Sequence, residues 1–366
     1  MNINFTGIIT TDTSYGIATS NIIKALARRG HCVAVFPINT MNTSTAHPED
    51  VPYIRDGFEC QKVYDPYAPS IRLWHQNDLA QHVGKGLHIN FPIFELDKFS
   101  DVELHHLKNS DILFVCSDWA KDVIAANGIR VPTYVVPLGT DREIFHENVK
   151  PFIPKSRKTI FLNVGKWEVR KGHDILADAF NKSFNTNDDV ELWLMPENPF
   201  LSYQEVLDWR KPYEESKLSR KIKILTRVNH PTELARIMAS ADCLVQPSRA
   251  EGWGLPSLDA LSMGLHLITT DYSAHKMYAN VHNTHLIPID GTEPANDGKW
   301  FHGQGNWAKF CSIQMDSLIR WMHKVHHIKQ SSGLGMNMAG IQSGKLYTWD
   351  NTANTIIDIL NKIGLS

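Results

Sequence analysis

The stretch DCLVQPSRAEGWGLPSLDALSMGLHLITTD (242–271) carries the residues best suited to chemistry. An apolar run ends at Gln246, and the loop PSRAEGWG then delivers Glu251 to the carboxyl end of that strand. Gly252 and Gly254 let the backbone approach a ligand closely. The helix that follows has its free N–H groups near residues 254–257, and Pro256 fits its first turn. A helix N-terminus preceded by glycines is an anion site, suited to a diphosphate. Asp259, eight residues after Glu251, can accept two hydrogen bonds from a diol such as a ribose. Trp253, inside EGWG, is placed to touch a ligand. The bland alternative is a common glycine-bearing turn with a solvated Glu251.

A second segment, NVGKWEVRKGHDILADAF (163–180), ends a strand at Gly165. Lys166 and Lys171 flank a short loop, and Gly172 precedes the next helix. Two ammonium groups at the carboxyl end of a strand can neutralise a diphosphate leaving group. A basic turn on a solvated surface has the same composition.

The elements that position these residues alternate between short apolar runs and amphipathic stretches. Residues 3–9 read as a strand, 16–29 as a helix stopped by Gly30, and 31–37 as a strand buried on both faces. That βαβ start implies a parallel sheet. Further strands are read at 71–76, 86–91, 111–116 and 133–136, with a helix from Ser117 or Asp118 to Gly128. Residues 142–158 hold two prolines, many charges and little periodicity, and are expected to separate two domains. Strands at 159–164, 191–195, 222–225, 242–246 and 266–269 then alternate with helices at 173–184, 202–218, 231–240 and 255–263. Residues 291–306 read as a loop excursion, and 315–327 and 351–363 as terminal helices. Two α/β halves imply a cleft, with ligands at the carboxyl ends of the strands.

Composition is consistent with this. The chain has 366 residues, 42% hydrophobic and 21% charged, more than one ordinary core holds. Its formal net charge of −2 gives no bulk attraction to nucleic acid. The five cysteines form no CxxC pair, and the 18 histidines show no HExxH spacing, so no metal site is expected. No apolar stretch reaches the ~20 residues of a membrane span. The opening MNINFTGIITTDTSYGIATS has no basic n-region followed by an apolar h-region. A cytoplasmic protein with reduced thiols is expected.

Taken together, the motifs resemble glycosyltransferase family 4. The chain has GK at 165–166 and KG at 171–172 where that family shows strand–GR–loop–KG–helix. ADCLVQPSRAEGWGLPSLDALSMG (241–264) is similar to its PS…EGfGLP-x-x-E-A run. PLGTDREIF (137–145), SDWAKDVIAANGI (117–129) and TWDNTANTIIDIL (348–360) look like its inter-domain segment, the helix before it and its closing W-x-x-x-A helix. The resemblance implies a GT-B fold: two Rossmann-like α/β domains facing across a cleft. Residues 1–150 would form the acceptor domain and 151–348 the donor domain, with the helix at about 349–366 crossing back onto the first. It implies a nucleoside diphosphate sugar donor (UDP- or GDP-linked), retention of anomeric configuration, no metal and no other cofactor. The acceptor would be a glycan, a lipid-linked glycan or a protein, and peripheral membrane association would be possible.

Residue by residue, the resemblance places Lys166 and Lys171 on the diphosphate and Glu251 against the donor sugar. Backbone amides of Gly252, Trp253, Gly254 and Leu255 would bind sugar hydroxyls or phosphate, and Asp259 the ribose. The base would lie near Arg227 and Val228. Gly16 would face the donor phosphate, and His75 would reach the donor sugar or acceptor. Asn90 and Glu95 also lie near strand ends. The family's E-x7-E is E-x7-D here, and its arginine at 166 is lysine, which loses bidentate geometry. The other readings are a GT-B epimerase or phosphorylase, and a non-catalytic nucleotide-sugar binder, hinted at by Asp259. A nicotinamide-dependent oxidoreductase is disfavoured, because TTDTSYGIATS lacks GxGxxG.

Overall fold

The computed structural model describes residues 1–9, 13–38 and 48–365; Thr10, Thr11 and Asp12 of the first loop lie outside them. The chain forms two compact units. Unit 1 is Met1–Asp141 with Leu346–Ser366, and unit 2 is Arg142–Lys345.

Unit 1 runs β1 (Asn2–Gly7), α1 (Ser14–Ala27), β2 (Cys32–Pro37), α2 (Val51–Lys62), β3 (Ser70–Trp74), β4 (His88–Pro92), α3 (Asp101–Lys108), β5 (Ile112–Val115), α4 (Asp118–Ala126) and β6 (Thr133–Val135). The strands make one parallel sheet in the order β2-β1-β3-β4-β5-β6. Helices cover both faces, so β4 and β5 are buried at every position and β1 at all but its first, even where β1 and β4 carry polar side chains. α1 begins at Ser14, two residues before Gly16, because Thr13 caps it by accepting from the Gly16 N–H at 3.2 Å.

Unit 2 runs β7 (Thr159–Val164), α5 (His173–Ser183), β8 (Val190–Met195), α6 (Tyr203–Glu214), β9 (Ile222–Ile224), α7 (Pro231–Ser240), β10 (Cys243–Gln246), α8 (Leu255–Ser262), β11 (His266–Thr270) and β12 (His285–Ile287). A hairpin of β13 (Thr292–Asn296) and β14 (His302–Ala308) follows, then α9 (Ser312–Ser332) and α10 (Met338–Leu346). The sheet order β12-β11-β10-β7-β8-β9 is doubly wound, and its strand order reverses between β7 and β10. The core includes Phe161, Phe180, Leu192, Val245, Ile268 and Met322.

The last helix, α11 (Trp349–Lys362), returns to unit 1. It buries Ala353, Ile356 and Leu360. Arg29 of α1 bonds Asp350 at 2.7 Å and Asn354 at 2.6 Å, and the Thr352 hydroxyl donates to the Pro137 carbonyl at 2.7 Å.

Five features differ from the sequence reading. α2 and α3 were not expected. Residues 291–306 form a paired hairpin rather than a loop, held by the antiparallel register Thr292↔Ala308 to Asn296↔His302. α9 extends past 315–327 at both ends, and α10 stands where no helix was read.

Candidate active site

The loop after β7 and the loop after β10 meet at the point where strand order reverses. Their approach is close enough to require glycine. Gly172 has φ 80, and a Cβ there would lie 2.5 Å from the Pro247 carbonyl oxygen. The Arg249 N–H donates to the Arg170 carbonyl at 2.7 Å, joining the loops through the backbone. Arg249 adds a bidentate pair with Asp174, both bonds 2.8 Å, and donates to the Val169 carbonyl at 2.5 Å.

This junction brings Glu251 and Lys171 together. The Lys171 Nζ donates to Glu251 Oε1 at 2.6 Å, and Arg170 Nη1 approaches Glu251 Oε2 at 3.3 Å. Arg170 also donates to the Ala250 carbonyl at 2.9 Å and to Glu168 at 2.9 Å. Lys166 reaches Glu168 at 3.3 Å and is half exposed. Three cations thus face two carboxylates, leaving one positive charge in excess. Burial alone would raise the Glu251 carboxyl, but the Lys171 ammonium and the Arg170 guanidinium hold it well below the usual carboxylate range. Glu168 is likewise held down by Arg170, Lys166 and Lys171 against the effect of its burial.

The backbone of Glu251 is fixed from behind. Its N–H donates to the Ser273 hydroxyl at 2.9 Å. Ser273 has φ 53, a left-handed conformation that a residue with a Cβ seldom adopts. Past Glu251, Gly252 and Trp253 are buried, and Gly254 caps α8 with φ 88. A Cβ on Gly254 would lie 2.7 Å from the Tyr278 hydroxyl and 2.9 Å from His275 Nε2. Leu255 and Asp259 sit on α8 and are buried. His275 is enclosed, and burial pushes it down to about 4, so it is neutral at pH 7. Its Nδ1 lies 3.0 Å from the Thr269 hydroxyl, and its buried Nε2 has no hydrogen-bond partner among the described residues.

The remaining sequence-derived residues fall as follows. Gly165 stands directly after β7, where a Cβ would contact the Lys171 side chain at 3.5 Å. Arg227 and Val228 lie half-buried between β9 and α7. The Trp253 ring, read as a ligand contact, is instead 3% exposed and packed on Tyr278 at 5.3 Å between centroids. In unit 1, Gly16 lies in the first turn of α1, and His75 Nδ1 is 3.0 Å from the hydroxyl of Tyr15, which donates to the Ile93 carbonyl at 2.8 Å. Asn90 is a core residue, donating to the Ser110 hydroxyl at 2.7 Å.

Sequence reasoning missed Arg170, Arg249, Ser273 and His275. Arg170 had a signal, since it adjoins Lys171 and shares its loop. Ser273 and His275 had none, because they reach Glu251 only through the fold after β11. Among the described residues no group of three His, Cys, Asp or Glu side chains is arranged to hold a metal ion.

The two doubly wound α/β units have the fold of GT-B proteins. Residues 158–296, which include Lys166, Lys171, Glu251 and Asp259, match the family model described as Glycosyl transferases group 1. The match lies wholly within unit 2. A curated relative, "Putative glycosyltransferase 45" of Sulfolobus islandicus filamentous virus, is 23% identical, over 72% of this chain and 67% of that protein. Among solved structures, sucrose-phosphate synthase of Thermosynechococcus elongatus is similar with a TM-score of 0.72 at 16% identity, covering 99% of each chain. Anabaena HepE, solved in complex with UDP and glucose, is similar with a TM-score of 0.67 at 14% identity, again covering 99% of each. At these identities the structural likeness concerns the fold.

Proposed function

We propose that this chain is a glycosyltransferase that moves a sugar from a UDP-sugar to a glycan acceptor, with retention of anomeric configuration and without a metal ion. The observation that carries this is the buried Glu251, clamped by Lys171 and Arg170 beside the N-terminus of α8. A carboxylate beside cations and free helix N–H groups suits a ligand with hydroxyls at one end and a diphosphate next to them. The UDP and glucose held by Anabaena HepE, a protein of similar fold, support the choice of uridine.

In the proposed reaction the bond from the sugar C1 to the leaving β-phosphate oxygen breaks, and negative charge collects on that phosphate. Lys171, Lys166 and the first N–H groups of α8 meet this charge in a fixed, largely desolvated setting. Glu251 holds sugar hydroxyls and, being ionised, favours positive charge at C1. The acceptor oxygen attacks C1 on the face the phosphate leaves, and its proton passes to the departing phosphate oxygen. Asp259 holds the ribose, and Arg227 and Val228 flank the base. A glycan acceptor places the chain in polysaccharide or glycolipid synthesis.

The test is UDP release from a panel of UDP-sugars, with Lys171→Ala and Glu251→Gln alongside wild type. Each substitution is expected to lower turnover by at least ~10²-fold, the scale of losing one preorganised electrostatic partner. Near-wild-type turnover in both variants would remove the assignment.

A further inference from the structure

Two large aromatic side chains of unit 2 stand side by side in the open. Phe200, between β8 and α6, is 55% exposed, and Trp300, at the tip of the β13–β14 hairpin, is 45% exposed. Their ring centroids are 5.8 Å apart at an interplanar angle of 78°. An ordered pair of exposed aromatic rings offers apolar faces on which a ligand ring can stack.

This pair is fixed from several sides. Asp297 Oδ1 accepts from the backbone N–H groups of Lys299, Trp300 and Phe301 at 2.9, 2.7 and 2.9 Å, which shapes the hairpin tip. Lys299 bonds Glu205 in the first turn of α6 at 2.5 Å. Phe301 packs on the buried Trp307, 5.4 Å between centroids, and the Arg249 guanidinium lies over that ring. At the hairpin base, the Ala308 N–H donates to the Arg249 carbonyl at 2.9 Å. The hairpin therefore runs from the Glu251 loop to Phe200. The Phe200 N–H in turn donates to Asn198, which donates to the Trp167 carbonyl at 3.0 Å.

The pair is continuous with the proposed donor site, because Lys166 Nζ lies 5.3 Å from the Phe200 ring centroid. It stands apart from the proposed base site. Right-handed crossovers put α5 and α6 on one face of the sheet and α7 and α8 on the other. Phe200 leads into α6, whereas Arg227 and Val228 lead into α7. The other reactant in glycosyl transfer is a sugar acceptor, whose rings carry apolar C–H faces ringed by hydroxyls. Lys166, Glu205 and Lys299 around the aromatics supply donors and acceptors for such hydroxyls. We propose that Phe200 and Trp300 form a stacking subsite for a pyranose ring of the acceptor glycan. This rests on the transfer reaction proposed above. Phe200 lies within the group 1 match and Trp300 just beyond its end at residue 296.

The experiment is saturation-transfer NMR on the full chain with maltohexaose, cellohexaose and chitohexaose, with and without UDP. Trp300→Ala and Phe200→Ala are the variants, and Trp300→Phe the conservative one. Transfer to ring C–H protons is expected for at least one hexasaccharide. Its affinity should fall about fivefold or more in each alanine variant, the scale of one aromatic contact, and be largely kept in Trp300→Phe. UDP affinity should stay within about twofold, and melting temperatures should be unchanged, since both side chains are exposed. No transfer from any hexasaccharide, or equal transfer in wild type and both alanine variants, overturns the subsite. Saccharide binding without UDP binding would instead overturn the donor-site reading and leave the subsite standing.

Discussion

Glu251 and Lys171 form a buried ion pair and are also assigned to the donor, so their stability and catalytic roles must be separated. Three variants do this: Glu251→Gln, Lys171→Met and the double substitution. Glu251→Gln leaves the Lys171 and Arg170 charges facing a neutral amide, although Arg170 keeps Glu168 at 2.9 Å. Removing one partner of a buried pair costs about 3–5 kcal/mol, and this variant should fall in that range. Lys171→Met costs less, about 1–3 kcal/mol, because Arg170 still faces Glu251 at 3.3 Å. The double variant buries neither charge of the pair and should be destabilised by less than the sum, with a coupling of about 1–3 kcal/mol. Urea unfolding followed by tryptophan fluorescence measures these terms. Turnover with a UDP-sugar should behave differently and fall by ~10²-fold or more in all three, without recovery in the double. Stabilities that add within about 0.5 kcal/mol would show that the two side chains are not coupled. Restored turnover in the double variant would show that the pair is structural only.

Gly254→Ala places a Cβ 2.7 Å from the Tyr278 hydroxyl at a φ of 88. It should cost at least about 1–2 kcal/mol and weaken UDP binding as the α8 N-terminus shifts, both measurable by thermal shift with and without UDP. Asp259→Ala should weaken UDP about tenfold in calorimetry, the scale of one hydrogen bond to a charged group, while free UMP-less sugars such as glucose bind no differently. Burial pushes His173 down to about 3 and His275 down to about 4. The unfolded chain protonates both near pH 6.5 and the folded chain does not, so unfolding takes up protons below that pH. Their stabilising contribution is complete above about pH 6.5 and is lost as pH falls toward 4, by up to about 1.4 kcal/mol per pH unit for each. Melting temperature should therefore drop steadily from pH 7 to pH 5, and a flat profile would contradict the buried neutral imidazoles.

What the sequence made legible was set by local patterning. Parallel strands buried on both faces, such as TIFLNV and DCLVQ, announce themselves as apolar runs, and the glycines and lysines of the two loops mark where strands end. α2 was hidden because VPYIRDGFECQK carries Pro52 and Gly57, residues that count against a helix, and buries only Ile54 and Gly57. The hairpin was hidden because its strands are rich in Gly, Pro, Asn and His and hold a single β-branched residue, Thr292, and its order comes from Trp307 packing under Arg249. In the site, Lys171 and Glu251 were readable from motif spacing. Ser273 and His275 were not, because their role depends on the loop after β11 folding back under Glu251, which no local pattern encodes. Trp253 was misread for a related reason: proximity in sequence to Glu251 does not fix which way a ring points, and Tyr278 draws it inward.

The most direct test of the central claim is to incubate the pure full chain with UDP-, GDP- and ADP-sugars, reading thermal stabilisation and nucleoside diphosphate release, with EDTA present and absent. The expected result is that one UDP-sugar both raises the melting temperature and releases UDP, equally well in EDTA, and that Glu251→Gln abolishes release. A chain that is stabilised by no donor and releases no diphosphate from any of them would contradict it.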